Sequence, residues 1–294
     1  MDEPIGRYFI EDDSLLASGS LDTALRPLGG SVYEVIRIID RTPLFLEDHV
    51  GRLGRSASLA GYPFAATAAR IRELVADLTN ACDLSSGTVK LIYGYTGRTS
   101  KPTLLIHFIR SRYPDDEMYK GGVRVGLLRG ERSSPAIKQS DTPVRKEADA
   151  LLEGGGFYEI LLVNGDGFIT EGSRTNIFFV KDDALVTPPT HDVLSGITRQ
   201  KVFEIARRGG IDLIEKAVHS SSIAGFNALF LTGTSAKILP VRSVQDLSFG
   251  TNHPLLRRLM ESYDRCIESY LSGDVKHDTI KSSESFSESK KGVS

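Results

Sequence analysis

Runs of β-branched residues alternate with amphipathic helical stretches over the first 110 residues, and that alternation restricts the chain to a mixed α/β fold. Ser31-Val32-Tyr33-Glu34-Val35-Ile36-Arg37-Ile38-Ile39 reads as a strand, with Ser31, Glu34 and Arg37 interrupting its apolar run. Asp40-Arg41-Thr42-Pro43 reads as a turn into a short strand, Leu44-Phe45-Leu46. Glu47 to Ala60 is expected to be helical, because Val50, Leu53, Ala57 and Ala60 recur at three- and four-residue steps. A second helix is expected near Thr67 to Ala81, with Ile71, Leu74, Val75 and Leu78 on one face. Strands at Thr88–Tyr95 and Thr103–Ile109, joined by the polar loop 96–102, complete a unit able to bury its own core.

The pattern breaks between Ser111 and Gly122 at Tyr113-Pro114-Asp115-Asp116-Glu117 and then restarts, which marks a connection between domains. A strand at Val123–Leu128 and a helix near Thr142 to Glu153 open the second half. Strands follow at Tyr158–Val163, Phe168–Thr170, Asn176–Val180 and Ala184–Val186. Thr198 to Arg208 is expected to be helical, Ala228–Thr232 extended, and Pro254 to Leu271 a final amphipathic helix. At roughly 100–200 residues per domain, the 294 residues divide into an N-terminal α/β domain over 1–110, a connection over 111–121 and a larger domain over 122–272. The serine-, lysine- and glutamate-rich end, 273–294, is too polar to bury a core and is expected to be disordered.

Charge and composition exclude several classes. Lys plus Arg total 36 against 38 Asp plus Glu, so the chain lacks the basic field that nucleic-acid or membrane-surface binding requires. No apolar stretch approaches the ~18 residues of a membrane-spanning helix. Met1-Asp2-Glu3-Pro4 lacks the pattern of a secretory signal, and two cysteines, Cys82 and Cys266, cannot build a disulfide framework. A protein of the cytoplasm is the expectation. The six histidines fall in no metal-ligand spacing, so no bound metal is expected. There is no phosphate-binding GxxxxGK[ST] loop, no GxGxxG after a strand and no Gly-x-Ser-x-Gly elbow, so chemistry here would borrow an organic cofactor.

Four groups of residues, the last a pair of segments, carry that chemistry. In His49-Val50-Gly51-Arg52-Leu53, His49 and Arg52 share a helix face. Lys138 follows an apolar pair in Pro135-Ala136-Ile137-Lys138, just before a helix. Glu171 ends a short strand in Gly167-Phe168-Ile169-Thr170-Glu171-Gly172-Ser173-Arg174, where an acid can be aimed into a cleft. Leu194-Ser195-Gly196-Ile197-Thr198-Arg199 opens a helix, whose free N–H groups favour an anion. Leu231-Thr232-Gly233-Thr234-Ser235-Ala236 ends a strand in small hydroxylated residues that could serve the same anion.

Taken in this order, the segments from Val32 to Arg242 resemble the class IV aminotransferases, the fold type IV pyridoxal-phosphate enzymes. The matching stretches are VYEVIRI (32–38), HVGRL (49–53), AIK (136–138), GFITEGSRTNIFFV (167–180), TPP (187–189), LSGITR (194–199) and LTGTSAKILPVRSV (231–244). The interval of 33 residues from Lys138 to Glu171 also fits the family. The resemblance implies two domains with pyridoxal 5'-phosphate in the cleft between them, and a homodimer with the active site near its interface. It implies that Lys138 carries the cofactor as an aldimine and shuttles the proton, and that Glu171 keeps the pyridine nitrogen protonated. Arg52, Ile197, Thr198 and Thr234 would bind the phosphate, and Leu194 would pack on the ring. Tyr33, Arg98 and Ser235 would face the substrate.

The sequence also departs from family patterns. Branched-chain enzymes usually follow the lysine with Gly-Gly-Asn-Tyr, where this chain has Gln139-Ser140-Asp141-Thr142. Leu28 stands where many members carry an aromatic residue. Tyr33 is similar to the tyrosine of D-amino-acid enzymes, yet the loop 96–102 offers Arg98 and Lys101 without their Arg-x-His pair. The leading expectation is transamination between an α-amino acid of branched-chain type and a 2-oxo acid. The alternatives are a D-amino-acid aminotransferase and a lyase like 4-amino-4-deoxychorismate lyase. A binding protein that merely kept the fold would have no use for Lys138, Glu171 and Arg52 together.

Overall fold

The computed structural model of the protein describes residues 3–25, 30–95, 101–139 and 142–273. Among them the strands fall into two sheets, one from each half of the chain. The first holds β1 (Pro4–Glu11), β2 (Ser14–Ala17), β3 (Val32–Ile39), β4 (Thr42–Pro43), β5 (Gly87–Gly94) and β6 (Thr103–Ile109), in the order β2-β1-β6-β5-β3-β4. All its pairings are antiparallel. The short helix α1 (Leu21–Leu25) precedes β3, while α2 (Leu46–Leu59) and α3 (Ala68–Cys82) cover one face.

That face shows why the helices form where the sequence places them. Val32, Ile36 and Ile38 of β3 point to it at alternate positions, as strand geometry requires. They bury against Leu46, Val50, Leu53 and Ala57 of α2 and Ile71, Leu74, Val75 and Leu78 of α3. Glu34 occupies the same row and is fully buried within it, beneath α2. Tyr33 points to the other face, beside Phe9, Ile92 and Leu105.

Two connections differ from expectation. The strand expected at Leu44-Phe45-Leu46 is absent, because Phe45 is left-handed at φ 51° and Leu46 already opens α2. Leu44 and Phe45 are apolar because they dock onto the second half, where the Phe45 ring stands 5.0 Å from that of Tyr270. The connection at 111–121 is not irregular throughout. Asp115 accepts a hydrogen bond from the Met118 N–H at 2.8 Å and so caps a short helix, α4 (Asp116–Gly121).

The second half contains β7 (Val123–Arg129), β8 (Glu159–Val163), β9 (Phe168–Gly172), β10 (Asn176–Lys181) and β11 (Ala184–Thr187). It continues with β12 (Leu213–Glu215), β13 (Val218–His219), β14 (Ala228–Gly233), β15 (Lys237–Val244) and β16 (Leu247–Ser248). The sheet runs β12-β11-β10-β14-β15-β7-β8-β9-β13, with β16 paired to β15. β7 and β8 are parallel, so a crossover must join them, and α5 (Pro143–Gly155) supplies it. α6 (Ile197–Arg208) and α7 (Pro254–Leu271) pack with Phe178, Val180, Ala228 and Phe230 in a shared core.

The segment between β7 and α5 carries Lys138 and returns to the first sheet. The Tyr33 N–H donates to the Lys138 carbonyl at 2.9 Å, and Val32 bridges to Gln139. This stitch holds the lysine segment against β3, between the two halves. Arg98, Leu28, Ser140 and Asp141 lie outside the described residues, as does the expected tail from 274 onward.

Candidate active site

Two adjoining cavities meet at the stitch. The inner one, of about 50 Å³, is lined by Arg52, Lys138, Glu171, Leu194, Ile197 and Thr198, and also by Tyr33, Thr232 and Thr234. The outer one, of about 430 Å³, shares Tyr33, Lys138 and Thr234 and adds Ser235. All the expected site residues that lie within the described part of the chain therefore line one or both.

Lys138 is held at its backbone by Ser56, whose Oγ accepts from the Lys138 N–H at 3.3 Å. Its Nζ stands 4.8 Å from the centre of the Tyr33 ring. Burial pushes the amine below its ordinary value, and Arg52 and Arg132 push the same way, against Tyr33 and Glu34.

Glu171 sits on β9 with its carboxylate spread among weak partners. Oε2 accepts from the Leu194 N–H at 3.0 Å and from Asn176 Nδ2 at 3.4 Å. Oε1 accepts from Arg132 Nη1 at 3.3 Å, long for a charge-assisted bond. Burial raises the carboxyl above its usual range, and these partners offset only part of that. Arg132 also donates to the Ile137 carbonyl at 2.6 Å, so it ties Glu171 to the residue before Lys138.

The third part is the end of the inner cavity formed by the N-terminus of α6. Gly196 caps α6, so the first N–H groups of that helix, at Ile197 and Thr198, lack carbonyl partners within it and face the inner cavity. A Cβ on Gly196 would fall 2.1 Å from Asn176 Oδ1, so only glycine fits there. Thr232 Oγ1 is buried at the cavity wall with no hydrogen-bond partner. The Thr198 hydroxyl is already engaged, 3.2 Å from that of Tyr263.

Arg52 completes this end in a way the sequence did not disclose. Its Nε and Nη2 donate to Glu34 at 2.6 and 2.7 Å, and its Nη1 donates to the Ser195 carbonyl at 3.2 Å. His49 Nδ1 lies 2.8 Å from Glu34 as well. Burial would raise the Glu34 carboxyl, but Arg52 and His49 outweigh it and hold it well below the carboxylate range. The paired edge of Arg52 fixes the guanidinium, and Nη1 is the nitrogen directed to the start of α6.

Sequence reading missed Glu34, Arg132, Asn176, Glu159 and Arg145, the last of which lines both cavities and donates to the Tyr33 hydroxyl. Glu34 had a signal, a lone acid in a β-branched run. Glu159 organises the turn after Glu171: it accepts from the Ser173 N–H and hydroxyl, the Arg174 N–H and the Thr175 hydroxyl at 2.6–3.2 Å.

A buried lysine, a buried acid and a helix N-terminus line one cavity, and comparison with known proteins gives the class. The amino-transferase class IV family model matches residues 31–244, and the chain belongs to that family. It is a transaminase-type enzyme of the fold type IV architecture. The chain is 27% identical over 257 residues to the branched-chain-amino-acid aminotransferase of Escherichia coli (strain K12), covering 80% of this chain and 83% of that protein. It is 26% identical over 237 residues to the D-alanine aminotransferase of Bacillus licheniformis, covering 77% and 83%. The solved branched-chain aminotransferase from Thermoproteus uzoniensis, crystallised with norvaline, matches at a TM-score of 0.77 and 25% identity, covering 91% of this chain and 98% of that one.

Proposed function

We propose that the protein is a pyridoxal 5'-phosphate-dependent aminotransferase that moves an amino group between an α-amino acid of branched-chain type and a 2-oxo acid. One observation carries this reading: Lys138 and Glu171, far apart in sequence, line the same inner cavity as the N-terminus of α6. The cavity fits the cofactor's chemistry, since the unpartnered Thr232 hydroxyl and the α6 N–H groups can donate to a phosphate. When bound, pyridoxal 5'-phosphate supplies an electron sink for the carbanion at the amino acid's Cα.

The chain's residues divide the remaining work. Arg52 Nη1, the Ile197 and Thr198 N–H groups and the Thr232 and Thr234 hydroxyls bind the phosphate. Glu171 holds a proton at the pyridine nitrogen by charge, and Leu194, whose N–H and carbonyl fix Glu171 and Asn176, packs on the ring. Lys138, lowered by burial, holds and moves the proton at Cα. The outer cavity receives the substrate, with Tyr33 and Ser235 on its polar side. Val35, Ile109, Leu152 and Phe157 give that cavity the apolar lining that a branched side chain requires.

The chain is proposed to work in the cytoplasm as a homodimer, which light scattering of the purified protein checks. No helix among the described residues is long and apolar enough to cross a membrane. The test of function is a half-reaction. The protein loaded with pyridoxal 5'-phosphate and given L-leucine should release the corresponding 2-oxo acid and convert to the pyridoxamine form. A D-amino acid reacting in its place would reassign the substrate, and elimination without the pyridoxamine form would replace transaminase by lyase.

A further inference from the structure

The carbon bearing the substrate's amino group has to lie where the two cavities meet, because Lys138 lines both. In an α-amino acid that carbon also bears the carboxylate, so the group that binds the carboxylate must line both as well. Among the described residues three cations do so: Lys138, Arg145 and Arg174. No described carboxylate does. Glu171 lines only the inner cavity, where Arg132, Asn176 and the Leu194 N–H hold it. The acids of the outer cavity are engaged or exposed. Glu3 pairs with Arg110 at 2.8 Å, Asp149 pairs with Arg174 at 2.7 Å, and Glu159 is taken up by the turn at 173–175. Glu153 is exposed.

The three cations are not equivalent. Lys138 is the residue proposed to bond the cofactor, and the Arg174 side chain is 40% exposed and paired with Asp149. Arg145 Nη1 donates to the Tyr33 hydroxyl. Its Cζ lies 5.7 Å from the Tyr33 ring centre, and Lys138 Nζ lies 4.8 Å from the same centre. Lys90 Nζ, 5.0 Å from that ring, belongs to a residue that lines neither cavity. A hydroxyl that accepts from Arg145 keeps its own O–H to donate, so Arg145 and Tyr33 present donors side by side. Helix α5 supplies the other half of the arrangement. Arg145 and Leu152 stand seven residues apart on it and share a face. Leu152 lines the outer cavity with Val35, Ile109 and Phe157.

We propose that Arg145 binds the α-carboxylate of the substrate, with the Tyr33 hydroxyl beside it, and so selects α-amino acids and 2-oxo acids over amines of similar shape. The inference rests on the outer cavity receiving the substrate. A guanidinium carries several N–H donors in one plane, so the bond to Tyr33 fixes its orientation without exhausting it. A carboxylate there gains charge-assisted hydrogen bonds in a partly enclosed place. The substrate side chain then runs along α5 towards Leu152 and Phe157, where the lining is apolar. One helix thereby reads both ends of a branched amino acid.

Calorimetry on the full-length, cofactor-loaded protein tests this with ligands that cannot transaminate. The probes are isocaproate, which is leucine without its amino group, and isocaproamide, its uncharged amide. Wild type should prefer the acid by about ten- to a hundredfold, the worth of a hydrogen bond to a charged group. Arg145→Gln should abolish that preference by weakening the acid alone. Arg145→Lys should keep part of it, and Tyr33→Phe should lose a smaller part. With L-leucine as substrate, the loss in Arg145→Gln should fall mainly on KM. A wild type without the preference would overturn the proposal. So would equal weakening of acid and amide in Arg145→Gln, which would make the arginine structural. A preference that survives Arg145→Gln and is lost in Arg98→Gln would overturn it too. Binding needs no turnover, so a preference that depends on Arg145 in a protein that transaminates nothing would overturn the proposed function and leave this inference standing. Transamination by Arg145→Gln with the preference intact would do the reverse.

Discussion

Glu34 and Glu171 are both buried, Glu171 in the wall of the inner cavity and Glu34 behind Arg52, which lines it, yet their surroundings drive them in opposite directions. Glu34 has a bidentate arginine at 2.6–2.7 Å and a histidine at 2.8 Å, so it is a finished ion pair. Glu171 has one distant arginine nitrogen, one backbone N–H and one amide, and burial dominates it. The first is committed to holding Arg52. The second retains unspent capacity for a cationic partner, which suits the role proposed for it beneath a protonated ring nitrogen. The lesson is that burial alone does not assign a buried acid its task. The completeness of its pairing does.

Breaking the finished pair should have the largest effect. Glu34→Gln leaves Arg52 without its counter-charge in a buried site, so folding stability should fall by about 3–5 kcal/mol. Denaturant unfolding measures it. The sign of its pH dependence follows from the lowered carboxyl: the contribution is present above the unfolded value of 4.5 and is lost as pH falls below it. Wild-type protein should therefore lose stability on the acid side more steeply than Glu34→Gln.

Glu171→Gln should invert that result. Its raised carboxyl makes the charged form a cost to folding, a cost that grows as pH rises above 4.5. The variant should thus be no less stable than wild type at neutral pH, while turnover falls by about 10²–10³-fold. A large stability loss with normal turnover would make Glu171 structural and erase the contrast.

Two smaller effects sharpen it. Arg52→Lys keeps the charge but loses the forked grip on Glu34, so cofactor retention should weaken about tenfold, roughly 1.5 kcal/mol. Equilibrium dialysis against pyridoxal 5'-phosphate reads this. Arg132→Gln removes the cation hydrogen-bonded to Glu171, which with Lys138 offsets burial there. The acid limb of activity should then move upward by about a unit or less, about 1.4 kcal/mol per unit, as a pH–rate profile would show.

What was legible in the sequence follows the range of the interactions. The last helix was read at its observed bounds, because Pro254 can open a helix and Leu255, Leu256, Leu259, Tyr263 and Ile267 form a local stripe. Both β1 and β2 went unread, since β1 pairs with β6 nearly a hundred residues away and its register shifts between Ile5 and Ile10. β15 was quoted as a motif but not as a strand, because Pro240 interrupts its pattern although it pairs with Phe230 within the sheet. Leu44-Phe45 looked like a strand because docking onto Tyr263 and Tyr270 leaves the same apolar signature. Lys138, Arg52 and Glu171 were legible through their motifs. Glu34, Arg132 and Arg145 were not, because each acquires meaning only from a partner on a distant element.

Lys138 is the residue proposed to bond the cofactor. Borohydride reduction of the protein loaded with pyridoxal 5'-phosphate, followed by peptide mass mapping, tests it most directly. A phosphopyridoxyl adduct should form on Lys138 in one-to-one amount and be absent from Lys138→Ala. A stoichiometric adduct on another lysine, or none at Lys138 in protein that retains the cofactor, would contradict it.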